Sequence, residues 1–354
     1  MIKLSGLRLA FDTGFLLAVD SLKVRAGEVF AIIGPNGAGK TTLLNAMAML
    51  VRPAAGNLEI MGQDALAAAN KLPLRRAMAA VFSQPYLIND TVFNNVALPL
   101  RLRGRMDAAA VREALELFRI AHLSERNGRT LSQGESHRAA LARAFVTRPK
   151  LLLLDEPFAS LDERVKESVI QDLRKVIKLS GAAVVLVTQD QAGALTLADT
   201  LAVLVGGRIL QQGQPQEIFS RPVCKEVADF VGVETILPGR VSANSENLCS
   251  VEAGGHTLMA VSGCAAGDSV FFCLRPEDIS VSLNADAGGR RNNFKARVAG
   301  VAPWGLQYKV ELDCGFTAQA AVTKQLVDGL GLKPGAEVYA SFKATAAHLI
   351  KRNL

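Results

Sequence analysis

The chain has 354 residues, 49% of them hydrophobic and 21% charged, which suits two domains with buried cores. A net charge of +7 is too mild for the dense basic stripe of a dedicated nucleic-acid binder, so no nucleic-acid partner is expected. No apolar run is long enough to span a membrane without a charge, and Met1–Ala10 holds no signal-peptide core, so the chain is expected in the cytoplasm.

Residues 3–11 and 18–25 alternate polar and apolar, as antiparallel strands do. Glu28–Ile33 then reads as a buried strand, and Thr42–Val51 as a helix closed by Pro53 and Gly56. Between them, Gly34-Pro35-Asn36-Gly37-Ala38-Gly39-Lys40-Thr41 completes a G-x-x-x-x-G-K-[ST] phosphate loop running into Thr42. Its glycines let backbone N–H groups wrap phosphate closely. Lys40 is expected at the β and γ phosphates of ATP, and the Thr41 hydroxyl on Mg²⁺.

Buried β runs recur at Ala79–Ser83, Leu151–Asp155 and Ala182–Thr188. Helical patterns at 105–120, 134–147 and 164–179 separate them, which is the signature of an α/β parallel sheet. Residues 88–148 read as an inserted helical subdomain, and its arginines as a solvated face. The strand Leu151–Leu154 ends in Asp155-Glu156, at the edge where parallel sheets bind ligands. Asp155 is placed to hold Mg²⁺ and Glu156 to polarise the attacking water.

Near Gly232 the composition shifts to short alternating strands with turn signals at Gly254-Gly255, Gly267-Asp268, Gly288-Gly289 and Pro334-Gly335. We expect a first domain over 1–232 and a small all-β domain over 233–354, split at Gly288-Gly289. Cys224, Cys249, Cys264, Cys273 and Cys314 form no C-x-x-C pair and no zinc spacing, so they read as buried apolar residues of a reducing compartment.

Leu131-Ser132-Gln133-Gly134-Glu135, upstream of the Asp155-Glu156 strand, resembles the signature segment of the ATP-binding-cassette family. Gln84 falls where that family has its glutamine-loop residue, which joins Thr41 and Asp155 at the metal. Phe11 falls where the family stacks an aromatic on adenine, and Ser160-Leu161-Asp162 resembles its loop against the opposite subunit. The resemblance implies a P-loop NTPase fold and a head-to-tail homodimer with two ATP molecules at the interface. Ser132, Gln133, Gly134 and Asp162 would contact ATP in trans. Gln133 and Glu135 stand where the family usually has glycine and glutamine, and Gln189 stands where it has a γ-phosphate histidine. Glutamine still donates a hydrogen bond but cannot become cationic. Asn89–Leu100 resembles the surface that receives a membrane subunit.

Cys273-Leu274-Arg275-Pro276-Glu277-Asp278-Ile279 resembles a segment of the TOBE-like domain of importer ATPases, expected over 233–285. Residues 289–354 are similar to the molybdate-binding oxyanion module, an OB- or Mop-like barrel, through Arg291-Asn292-Asn293-Phe294-Lys295, Leu330–Val338 and Phe342-Lys343-Ala344-Thr345. By position the oxyanion ligands are Arg291, Asn292, Lys343 and Thr345, while Gly289 replaces a usual serine. Together the resemblances imply the ATPase subunit of a molybdate or tungstate importer, peripheral on the cytoplasmic face of the inner membrane. Its partners would be integral permease subunits and, indirectly, a periplasmic oxyanion-binding protein. Alternatives are an importer for sulfate or a polyamine, a soluble cassette ATPase, and an oxyanion-binding sensor.

Overall fold

The computed structural model describes residues 1–10, 14–159, 161–285 and 291–352. The chain divides into two compact units, Met1–Ile218 and Phe219–Leu354.

In the first unit the strands are β1 (Ile2–Ala10), β2 (Leu16–Val24), β3 (Val29–Ile33), β4 (Ala55–Ile60), β5 (Gln63–Asp64), β6 (Met78–Val81), β7 (Leu151–Asp155), β8 (Ala183–Thr188), β9 (Thr200–Val205) and β10 (Arg208–Gly213). Among the described residues they form one sheet in the order β5-β4-β1-β2-β10-β9-β3-β8-β7-β6. β6, β7, β8, β3 and β9 run parallel. β3, β7 and β8 are buried along their whole length, which is why their sequences are unbroken apolar runs. β1 pairs antiparallel with β2 and β4, and both β1 and β2 alternate buried and exposed residues, as a sheet with one wet face requires.

The helices are α1 (Lys40–Met47), α2 (Lys71–Ala77), α3 (Val92–Leu102), α4 (Ala108–Leu117), α5 (Gln133–Phe145), α6 (Glu163–Ser180), α7 (Gln191–Leu197) and α8 (Pro215–Ser220). α1 stops short of the expected Val51, because Met49 turns left-handed at φ 59°. Asn89–Leu100 contains most of α3, capped by the Thr91 side chain, despite Pro99 in its last turn. Fully buried Asn95 serves the turn before α3: its amide donates to the carbonyls of Ile88, Asp90 and Thr91 and accepts from Ile88 N–H.

α5 is tied to α6 by charge. Asp172, 3% exposed, accepts from the Arg138 guanidinium and lies 3.2 Å from Arg119 Nε. Arg138 also donates to Ser168 Oγ at 2.9 Å and to the Phe118 carbonyl at 3.2 Å. Each buried charge is therefore met, the condition under which such a cluster is tolerated.

The second unit carries α9 (Lys225–Phe230), β11 (Thr235–Ser245), β12 (Leu248–Ala253), β13 (His256–Val261), β14 (Ser269–Leu274), β15 (Ser280–Ser282), β16 (Arg291–Trp304), β17 (Gln307–Asp313), β18 (Thr317–Thr323), α10 (Lys324–Leu330), β19 (Glu337–Lys343) and β20 (His348–Lys351). Among the described residues two five-stranded sheets result, β13-β12-β11-β14-β20 and β15-β19-β16-β17-β18. The two expected modules are interlaced rather than separate. β15, before the turn, joins the later sheet, and β20, after it, joins the earlier one, so both close on one apolar core. Gly288 and Gly289 lie outside the described residues. The division also falls before Gly232, because Arg275 donates to the carbonyls of Phe219 and Val231 and fastens that stretch to the second unit. Cys249, Cys264, Cys273 and Cys314 are buried and Cys224 is half-buried. Burial pushes the Cys273 thiol up to about 12 and that of Cys314 to about 11.

Removing the anion of the α5–α6 cluster leaves a buried guanidinium unmet. Asp172→Ala is expected to destabilise the first unit by about 3 kcal/mol, read as a lower urea midpoint at unchanged slope.

Candidate active site

β3 ends at Ile33, the loop follows, and α1 starts at Lys40. Gly39 turns at φ 100°, and a Cβ there would lie 2.9 Å from Phe15 Cζ, so only glycine fits. Lys40 is 7% exposed. Its ammonium donates to the Gly34 carbonyl at 2.9 Å and the Pro35 carbonyl at 3.1 Å, and stands 3.6 Å from Glu156 Oε1. A cavity of about 360 Å³ opens here, lined by Phe15, Glu156 and the loop from Asn36 through Gly37, Ala38, Gly39, Lys40 and Thr41 to Thr42.

Glu156 reaches this cavity, and Asp155 reaches Thr41 at its edge, because β7 pairs in parallel with β8, with Asp155 opposite Val187. Thr41 Oγ1 donates to Asp155 Oδ1 at 2.9 Å. Burial raises the Asp155 pKa and outweighs the Thr41 hydrogen bond, which lowers it. Glu156 turns left-handed at φ 44°, an uncommon conformation for a non-glycine residue and a mark of local strain. Its Oε2 accepts from the Thr188 hydroxyl at 2.8 Å and from Gln189 N–H at 3.2 Å. One carboxylate, just past the end of β7, is thus held from the end of β8 beside a lysine. The Thr41 hydroxyl and the Asp155 carboxylate are hard oxygen donors already in contact, a set that fits Mg²⁺.

Gln84 does not join them. It is exposed, lies outside the cavity lining, and its Oε1 accepts from the Tyr86 hydroxyl at 2.9 Å. Gln189 reaches Glu156 through its backbone N–H, and the residue is exposed. Phe11 lies outside the described residues, as does Ser160. Among the described residues Phe15 is the aromatic lining the cavity, and no motif signals it in the sequence. Thr188 was equally silent, being one more β-branched residue of a strand.

Ser132 caps α5 and Asp162 caps α6, the latter accepting from Val165 N–H at 3.0 Å. A Cβ on Gly134 would lie 2.6 Å from Val165 Cγ1, so glycine there lets α5 approach α6 closely. None of Ser132, Gln133, Gly134 or Asp162 lines the phosphate-loop cavity.

The expected oxyanion ligands fare differently in the second unit. Arg291 starts β16 opposite Lys343 of β19, and Lys343 and Thr345 are exposed. Asn292 is corrected: it is 4% exposed, its Oδ1 accepts from Met259 N–H at 2.7 Å and its Nδ2 donates to the Met259 carbonyl at 2.9 Å. That pair of bonds ties β16 to β13 and commits the amide to the fold.

The chain is similar to known proteins along most of its length. The ABC transporter family matches residues 17–159, and the TOBE domain matches residues 290–349. The molybdate/tungstate import ATP-binding protein WtpC of Pyrococcus horikoshii is 38% identical over 95% of this chain and 96% of its own. The spermidine/putrescine import ATP-binding protein PotA of Nitrosomonas europaea is 36% identical over 87% of each. Among solved structures, cbiO1 of Clostridium perfringens, part of an ABC transporter complex, covers 65% of this chain and 93% of its own, with a TM-score of 0.57 and 28% identity. A dimeric ATP-binding cassette in a post-hydrolysis state, bound to ADP and Pi, covers 61% of this chain and 99% of its own, with a TM-score of 0.55 and 28% identity.

The raised Asp155 pKa has a consequence for stability. The folded value lies above the unfolded one, so the native state holds more protons in that window and this contribution falls as pH rises through it. Without nucleotide at neutral pH, Asp155→Asn is expected to melt on the order of 2 °C higher than the native chain. Scanning calorimetry should find the difference shrinking as pH falls below the carboxylate range.

Proposed function

We propose that this chain, which belongs to the ABC transporter family as an import ATP-binding subunit, hydrolyses ATP to drive uptake of molybdate or tungstate. One observation carries the chemistry: Glu156 is held by Thr188 and Gln189 N–H at the strand ends, 3.6 Å from Lys40. The 38% identity to WtpC across nearly the whole chain supports the substrate class.

In this reading the phosphates of ATP lie along the loop, against backbone N–H groups at the start of α1. Lys40 leaves the Gly34 and Pro35 carbonyls for the β and γ phosphates. Thr41 and Asp155 hold Mg²⁺, which when bound neutralises developing phosphate charge. Glu156 accepts hydrogen from the attacking water and aligns it on the γ-phosphate, releasing ADP and phosphate. Gln189 lies beside the same phosphate and donates a neutral hydrogen bond where a histidine could also supply charge. Phe15 flanks the nucleotide from the loop after β1. Ser132, Gln133 and Gly134 at the start of α5, with Asp162, complete the site of a second copy, so the working unit is a homodimer. Gln84 takes part only after leaving Tyr86.

Among the described residues no helix is long and apolar enough to cross a membrane. Transport then requires permease subunits, and the chain works peripherally at the cytoplasmic face of the membrane. Exposed Phe82, Tyr86 and Ile88, just before α3, offer an apolar surface for such a partner. An oxyanion on the second unit would rest on Arg291, Lys343 and Thr345, without Asn292.

Two experiments test this reading. Glu156→Gln should bind ATP yet hydrolyse it about a thousandfold more slowly, and gel filtration with MgATP should show it as a persistent dimer. Near-native turnover would remove Glu156 from the mechanism. A strain lacking this gene should lose uptake of labelled molybdate and tungstate, regain it with the native gene and not with the Glu156→Gln form. Loss of spermidine uptake alone would point instead to the polyamine class of the PotA relative.

A further inference from the structure

The start of α5 contains an internal competitor for phosphate. Ser132 has two donors, its hydroxyl and its backbone N–H. Both point at the same atom, Oε2 of Glu135, at 2.8 Å and 2.7 Å. The hydroxyl is the donor that the proposed trans contact would turn toward the γ-phosphate of the partner's ATP. A serine hydroxyl carries one proton and serves one acceptor at a time.

We propose that Glu135 is a positioning residue that acts as a stand-in anion, holding the Ser132 donors until a triphosphate displaces it, and so raises the ATP concentration needed to close the dimer. The inference rests on the reading that Ser132 faces nucleotide across the dimer.

Several features make the exchange possible. Glu135 N–H also donates to Ser132 Oγ, at 3.4 Å, so the hydroxyl proton can turn outward while Oγ keeps that contact. Arg126 Nη1 stands 4.0 Å from Glu135 Oε1. Arg126 is itself fixed by bonds to the Thr130 hydroxyl and carbonyl, at 3.2 Å and 2.9 Å. A displaced carboxylate therefore has a waiting counter-ion. Both hydrogen bonds from Ser132 hold the Glu135 pKa below the usual carboxylate range, so the group meets the triphosphate as an anion. Like charge beside the incoming phosphate then adds to the competition for donors. Glutamine keeps the capping arrangement of α5 but removes the charge, which separates the proposed role from a plain helix cap.

The test is steady-state ATPase of the full chain as a function of ATP concentration, in four forms: native, Glu135→Gln, Ser132→Ala and the double variant. Glu135→Gln should lower half-saturating ATP about fivefold, a larger change than that in kcat. The gap from the native chain should narrow in 1 M salt, where exposed charges are screened. In the Ser132→Ala background the same substitution should lose most of its effect. An unchanged or raised half-saturating ATP in Glu135→Gln overturns the inference, as does an undiminished effect without the Ser132 hydroxyl. If Ser132→Ala alone leaves the ATPase untouched, the trans contact itself fails, and the stand-in role with it.

Discussion

A strand buried on both faces admits no charge until its last residue. That constraint shapes the first unit. β3 is apolar throughout and β7 and β8 are apolar up to their last residues, so the polar groups they deliver gather where the strands stop. Parallel pairing then makes the stops coincide: Ile33 lies opposite Thr188, and Asp155 opposite Val187. Asp155, Glu156 and Thr188 thus come together at the strand ends, where they meet Lys40 and Thr41 at the start of α1. The strained backbone of Glu156 is the local cost of turning its carboxylate back across β8.

The same register explains what the sequence makes legible. Apolar runs ending in Gly34 or in Asp155-Glu156 state both the strand and its functional end, so the loop, the two carboxylates and the parallel sheet can be read directly. β4, β5 and β10 lack that contrast and pass for connections. Phe15 and Thr188 enter the site only through the fold. Gln84 and Asn292 show what motif position leaves out, since each side chain is engaged by a neighbour, Tyr86 or Met259. Amides donate and accept, so burial readily recruits them to the backbone. The interlacing of the second unit was hidden because β15 and β20 are short and pair with strands far away in sequence.

The start of α5 shows how a surface motif depends on contacts beneath it. Gly134 lets the helix sit against Val165, and the Asp172 cluster fixes its angle to α6. Ser132 and Glu135 are therefore presented from a rigid base, not from a loose loop. Positioning of that kind converts binding energy into alignment rather than into ordering a flexible segment.

The interlaced sheets also impose a schedule on synthesis. β14 is complete when Leu274 is made, but its edge stays unpaired until β20 emerges at His348–Lys351. At roughly 5–20 residues per second, a ribosome leaves that edge open for several seconds. An open strand edge is a template for pairing with other chains. The nascent polypeptide thus passes through a window of aggregation risk that ends only when its last strand docks, and chaperone protection of this segment matters most during those seconds.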